Sequence, residues 1–310
     1  MIALMAAPFV VAVVLALGAT YLASHMPPAA ATLVLCSAAL TVSLTCGLML
    51  CGAAVLGISQ LAPIAAVGHW STTMPGNEIR PVAGVVAALI AISLFASGAV
   101  RAFAALRVAC QARAVALALP APVSKLVVVD DQAPIAYALA GAGGRIVVSS
   151  AMLRALASDE RRVLLAHEVA HLRYRHHLYV AITDVAAAAN PFLRPVAQAV
   201  CRSVERWADE VAAAEVGDRR VAARSVAHAA LVRARFRGAG FPSSVTPGAL
   251  GLDDGDVPAR VRALLAPPSG RQVRLRVAIL CASALCWFAG AVVTVWTHAV
   301  LELAQSLSGH

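Results

Sequence analysis

His167 and His171 stand four residues apart, with Glu168 beside the first, in the run His167-Glu168-Val169-Ala170-His171. On a helix, residues four apart lie one above the other, so both imidazoles face one way and can grip a single metal ion. Zinc held by two His and one carboxylate keeps a fourth position open and draws the pKa of water there down towards neutrality. Glu168 is then placed to take the proton. With seven Glu and nine His in the chain, chance gives this pattern in roughly one such sequence in a hundred or fewer. The competing reading is an amphipathic helix whose polar face happens to carry these residues.

The elements around the run must position it. Ser158 is a fitting N-cap, with Asp159 and Glu160 in the first turn, where they suit the helix dipole. The pattern predicts one helix from there through Val163, Leu164, His167 and His171 to Asn190-Pro191, where proline forbids continuation. A second predicted helix starts at Pro195, ends at Gly217 and carries Glu205 and Asp209 on one face. A carboxylate there can be the third ligand, and an Asp one turn on can accept a hydrogen bond from a ligand His. Such a pair alone is an ordinary solvated face; following the His-Glu helix after a break, it reads as part of the site. A third helix spans Arg219 to Arg237, a Gly-, Pro-, Ser- and Asp-rich loop runs from Gly238 to Pro258, and Ala259 to Leu265 is a short helix. His176 and His177 are expected on other faces of the first helix. His228 and Tyr137 are candidate donors to an oxyanion, because such sites commonly add a donor opposite the metal.

Upstream, Lys125 to Val129, Ile135 to Leu139 and Arg145 to Ser149 are strand candidates, with Gly141-Ala142-Gly143-Gly144 as a turn. They predict a small antiparallel sheet with at least one hairpin. The Gly-rich turn lacks the context of a phosphate loop.

The chain has 310 residues, 60% hydrophobic and 13% charged, too apolar for an ordinary soluble domain. Four stretches without Asp, Glu, Lys or Arg are long enough to span a bilayer: Ile2 to Ala23, Ala29 to Ile58, Pro81 to Val100 and Val277 to Val300. The first has no positive n-region and is read as a retained span. Ala102 to Leu119 is expected to continue as a helix lying near the membrane before Pro120 stops it. Of 25 Lys and Arg, 24 lie between Arg101 and Arg276 against 14 of the 16 acids, a formal charge of +10. Arg101, Arg107 and Arg113 follow the third span, and Arg271, Arg274 and Arg276 precede the fourth, which puts the intervening region in the cytoplasm and both termini outside. The dispersed cations carry no nucleic-acid motif, so no direct nucleic-acid binding is expected; anionic lipid suits the flanking arginines better. Seven cysteines without a CxxC pair, mostly in the spans, argue against disulfides and a thiolate site.

His167 to His171, followed 34 residues later by Glu205-Arg206-Trp207-Ala208-Asp209, resembles the gluzincins, metalloproteases in which HExxH is completed by ExxxD on a second helix. Three spans, a zinc domain and a fourth span resemble the BlaR/MecR family of membrane sensor-transducer peptidases. Val147-Val148-Ser149-Ser150, Asn190-Pro191-Phe192 and Arg260 to Leu265 extend that likeness over most of the chain. The resemblance implies that His167, His171 and Glu205 bind one Zn2+, that Glu168 is the general base, and that Asp209 orients His167. Antibiotic-sensing members carry an extracellular penicillin-binding domain after the last span. Ten residues follow Val300 here, so direct β-lactam sensing is not expected. HtpX-like and prenyl-protein-processing peptidases are more distant relatives with differently arranged spans.

The expectation is a multi-pass α-helical membrane protein with an inserted α+β gluzincin domain. Residues 1–105 form three spans, 106–272 the cytoplasmic zinc peptidase, and 273–310 the last span and tail. The expected activity is zinc-dependent endopeptidase action on a cytoplasmic or membrane protein in signal transduction, by analogy cleavage of a transcriptional repressor. A sensor partner or homo-oligomer is the further partner considered. HtpX-like quality control and a non-catalytic zinc receptor or scaffold are the alternatives.

Overall fold

The structure is a computed structural model that describes residues 2–72, 77–118, 125–140, 143–238, 256–267 and 273–308. Most of the Gly238 to Pro258 loop lies outside these residues. Four helices are long and apolar enough to cross a membrane: α1 (Ile2–His25), α2 (Pro28–Ile58), α4 (Pro81–Ala118) and α11 (Val273–Ser308), with the short α3 (Ala62–Gly68) between the second and third. Helix α2 is the hub, packing on α1, α4 and α11. Lipid offers apolar side chains as much as protein does, so close packing of small residues holds such helices together. At Gly57 of α2 and Gly84 of α4 the backbones touch: a Cβ on Gly57 would lie 2.4 Å from the Gly84 Cα.

Helix α4 does not end with its apolar stretch. The helix expected to continue over Ala102 to Leu119 is one with the third span, because Arg101, Arg107 and Arg113 interrupt hydropathy without interrupting helix formation. Its 38 residues reach about 57 Å at 1.5 Å per residue. The hydrocarbon core takes about 30 Å of that, so the second half stands clear as a post. Ala112 on this post is buried against Leu139 and Val147 of the sheet.

That sheet has the order β1-β3-β2, from β1 (Leu126–Val129), β2 (Ala136–Leu139) and β3 (Arg145–Ser149). The hairpin exists: β2 pairs antiparallel with β3, Tyr137 opposite Val147. The sheet is mixed, however, because β1 lies parallel to β3, Val127 opposite Val147. Residues 130–135 carry the chain past the place beside β1, so β3 inserts between its predecessors. Edge strand β2 is left facing the helices.

Ser149 caps the short helix α5 (Ser150–Ala155), accepting from the Met152 amide at 3.1 Å. Helix α6 (Ser158–Arg173) begins one residue earlier than a Ser158 cap would place it: Ala157 is the N-cap, and Glu160 reaches back to its amide at 2.9 Å. Ile146, Val148, Met152, Leu156 and Leu164 form the core beneath. At about 1.5–3 kcal/mol per fully buried large aliphatic side chain, they contribute on the order of 10 kcal/mol before entropy is counted.

The expected single helix over 158–190 is two helices. Arg175 takes a left-handed conformation, φ 52° and ψ 43°, and the chain turns into α7 (His176–Ala189). Helix α7 runs down between α2 and α4, where Ser43 donates to the Ala186 carbonyl at 3.3 Å, and its Asp184 pairs with Arg101. After a 3-10 turn (Pro191–Leu193), α8 (Arg194–Val216) climbs back out. Leu193, Val196 and Val200 are buried with Leu35, Ala39 and Val42. Gly217, φ 77°, ends α8 in the left-handed conformation that favours glycine. Helix α9 (Arg219–Gly238) and α10 (Val257–Leu265) close over α6 and α8.

Candidate metal centre

Two helices build the centre. His167 and His171 project from one face of α6, and Glu205 and Asp209 from the facing side of α8; all four, with Glu168, are buried. The two Nε2 atoms lie 3.0 Å apart. Glu205 brings Oε2 to 3.4 Å from His167 Nε2 and Oε1 to 3.5 Å from His171 Nε2. These three residues offer ligand atoms within 4.8 Å of one another. Ligands on a tetrahedral zinc at about 2.0–2.1 Å stand roughly 3.3 Å apart, so the spacing fits a small cation. Among the described residues the buried Oε2 of Glu205 accepts no hydrogen bond, which fits an atom whose partner is a metal.

The groups behind the ligands fix their tautomers. His167 Nδ1 donates to Asp209 Oδ1 at 3.0 Å, leaving Nε2 for the metal. Arg260, itself buried, donates from Nε to Asp209 Oδ2 at 2.7 Å and from Nη2 to Oδ1 at 2.6 Å. Its Nη1 lies 3.3 Å from Glu205 Oε2. Burial opposes charge on both carboxylates. Against it, His171, His167 and Arg260 hold Glu205 down to about 2, and Arg260 and His167 hold Asp209 well below the usual carboxylate range. Burial likewise depresses the His167 imidazole, but its bonds to Asp209 and Glu205 outweigh that and push it up to about 9. His171 is left at about 4 by burial.

His176 was expected on another face. The turn at Arg175 brings it back onto His171, Nδ1 to Nδ1 at 3.1 Å, and it is fully buried. Burial pushes its pKa down to about 3, so it is a neutral acceptor for the His171 Nδ1 proton and leaves His171 Nε2 free to ligate. Trp207 and Tyr174 pack against its ring at centroid distances of 4.8 and 5.9 Å. Nothing in the sequence marks this return, because the break contains neither Gly nor Pro.

A cleft opens at the centre between β2 and α9. Ala136, Tyr137 and Ala138 line one wall, Ser225, Val226, Ala229 and Arg233 the other, with His167, Glu168 and His171 at the base. Burial raises the Glu168 pKa, with the nearby Glu205 charge adding to the rise and His167, Arg233 and Arg260 opposing it. Of the two candidate oxyanion donors, Tyr137 lines this cleft. His228 is instead engaged with Glu160, its Nδ1 2.9 Å from Oε2. His177 lines the cleft at its far end.

One comparison bears on the His167 to His171 half of this centre. Residues 101–189 match peptidase family M48, a stretch of 89 residues holding the sheet, α6 and α7 and ending before Glu205. No curated protein and no solved structure matches the chain. The match supports a membrane-associated metallopeptidase, with four apolar helices and a possible metal site of His167, His171 and Glu205.

Proposed function

We propose that the protein is a membrane-bound zinc endopeptidase. Residues 106–272 would be the peptidase domain, carried between the spans of 1–105 and 273–310. One observation carries the reading: the ligand atoms of His167, His171 and Glu205 converge at the base of a cleft that Glu168 also lines. Zinc held by these residues would supply a Lewis acid that polarises the scissile carbonyl and acidifies water. Glu168, with its pKa raised, is basic enough to take the proton from attacking water and then give it to the leaving amine. Asp209 and Arg260 keep His167 oriented, and His176 does the same for His171. The outer edge of β2 can pair with an extended substrate backbone, and Tyr137 is the proposed donor to the oxyanion.

The arginines flanking the third and fourth spans support a cytoplasmic domain, and the arrangement of spans supports regulated cleavage of a cytoplasmic protein such as a repressor. A second reading, HtpX-like quality control of membrane proteins, is favoured by the site's position. Arg206, next to the ligand Glu205, donates to the Ala23 carbonyl at the end of α1 at 2.6 Å, so the centre lies level with the bundle's end.

The test compares Glu168→Gln with wild type. The variant should retain zinc and lose turnover by about 10²-fold or more, whereas His167→Ala and Glu205→Ala should lose both. Full activity in Glu168→Gln would overturn the mechanism. Zinc binding without cleavage of any substrate by wild type would favour a receptor or scaffold. Proteins trapped by Glu168→Gln would separate one regulated target from many damaged ones.

A further inference from the structure

A second cavity, of about 530 Å³, adjoins the catalytic cleft and shares Ala140, Leu172 and His177 with it. Its walls carry Lys125, Arg173 and Arg175, and among the described residues no acidic side chain lines it. All three cations are exposed. Among the described residues none of them meets a carboxylate, although Arg173 lies over the Tyr174 ring at 5.4 Å. Four arginines elsewhere, Arg101, Arg219, Arg224 and Arg260, each pair with an acid. Burial and the Arg175 charge push the His177 pKa down, so the positive field comes from the three cations alone.

Arg175 carries a second, independent signal. Its backbone is left-handed at φ 52°, the conformation that favours glycine, yet the position bears a long cationic side chain directed to this cavity. A turn alone would be better served by Gly or Asn. Three unneutralised cations around a concave surface raise the local potential and draw anions, and the arginine forks match carboxylates.

We propose that this cavity receives acidic side chains of the substrate, so that the enzyme prefers protein segments with Asp or Glu beside the cleavage site. The word substrate rests on the peptidase reading above. Strand β2 supplies the path. Ala136, Tyr137 and Ala138 line the cleft, β2 ends at Leu139, and Ala140 belongs to both cavities. A peptide paired along the β2 edge therefore runs from the metal centre past Ala140 into the basic cavity. Because β2 is only the four residues Ala136–Leu139 and Ala140 already belongs to both cavities, the acidic residues fall within a few positions of the scissile bond. This continuity with the cleft favours a peptide over a lipid phosphate as the occupant.

The experiment measures binding, so that it does not depend on turnover. Full-length Glu168→Gln protein in neutral-detergent micelles is titrated with fluorescein-labelled peptides in which an Asp-Glu pair is stepped along an Ala-Ser sequence, and with Asn-Gln counterparts. The best acidic peptide should bind at least about tenfold tighter than its counterpart at low salt, and the preference should shrink as salt screens it. Arg173→Gln/Arg175→Gln and the stronger Arg173→Glu/Arg175→Glu should bring that ratio close to one with zinc content maintained, whereas Arg162→Glu, an exposed cation outside the cavity, should not. Equal binding of both peptides, or a preference unchanged in both double variants, overturns the proposal. So does loss of short-chain phosphatidylglycerol binding in those variants while acidic-peptide binding stays intact. Preferential binding without cleavage by wild type would support the basic cavity and count against the peptidase reading alone.

Discussion

Arg260 grips Asp209 through both carboxylate oxygens, across 51 residues of sequence, and both partners are buried. The same guanidinium lies beside Glu205, so one arginine balances the carboxylate bonded to His167 and the carboxylate of the candidate metal site together. A buried pair of this kind adds little when compared with apolar residues of equal volume, yet removing one partner strands the other's charge.

Replacing Arg260 with Met should therefore destabilise the domain by about 3–5 kcal/mol and lower zinc content, because Asp209 and Glu205 would face each other uncompensated. Arg260→Lys keeps the charge but loses the two-point grip, and should fall between. Thermal unfolding and metal analysis of the purified protein in detergent read both effects. A Met variant with wild-type stability and full zinc would show that the clamp is not needed.

The side-chain pairs of the candidate metal centre on α6 and α8 were legible because a 3.6-residue period fixes which side chains share a face. His167, His171, Glu205 and Asp209 need only that rule and an antiparallel return. Arg260 falls in a segment the family resemblance had singled out, but its role depends on how α10 docks, which no local pattern specifies. The two-helix break was hidden because Arg175, rather than Gly, takes the left-handed residue. The parallel pairing of β1 was hidden because strand direction depends on the path of residues 130–135. The first two spans agree with their helices to within two residues, whereas hydropathy ended the third at Val100 and the fourth at Val300 while the α4 and α11 backbones continue to Ala118 and Ser308.

His176→Phe keeps a buried ring against Trp207 and Tyr174 and removes the acceptor for His171 Nδ1. Zinc affinity should fall about 10–100-fold, the usual cost of losing such a partner, with little change in unfolding midpoint. His176→Asn, which restores an acceptor oxygen, should recover part of it. Competition with a chromophoric chelator measures the affinities. If the Phe variant bound zinc as wild type does, His171 would have to be oriented by other means.

Metal uptake should release a proton, and the sign follows from His167. In the metal-free site, its bonds to Asp209 and Glu205 overcome burial and raise its pKa to about 9, so the ring is an imidazolium at neutral pH. A metal at Nε2 must displace that proton, so it competes with protons up to the raised pKa. Apparent affinity should accordingly rise about tenfold per pH unit below pH 9 and flatten above it. His171, at about 4, has already lost its proton in this range and adds nothing to the slope. Titration calorimetry in buffers of different ionisation enthalpy should give close to one proton released per zinc at pH 7.5. Prior stripping with a chelator should abolish cleavage, and zinc should restore it. Heats that do not depend on the buffer would mean that His167 is already neutral, and that Asp209 positions the ring without holding a charge on it.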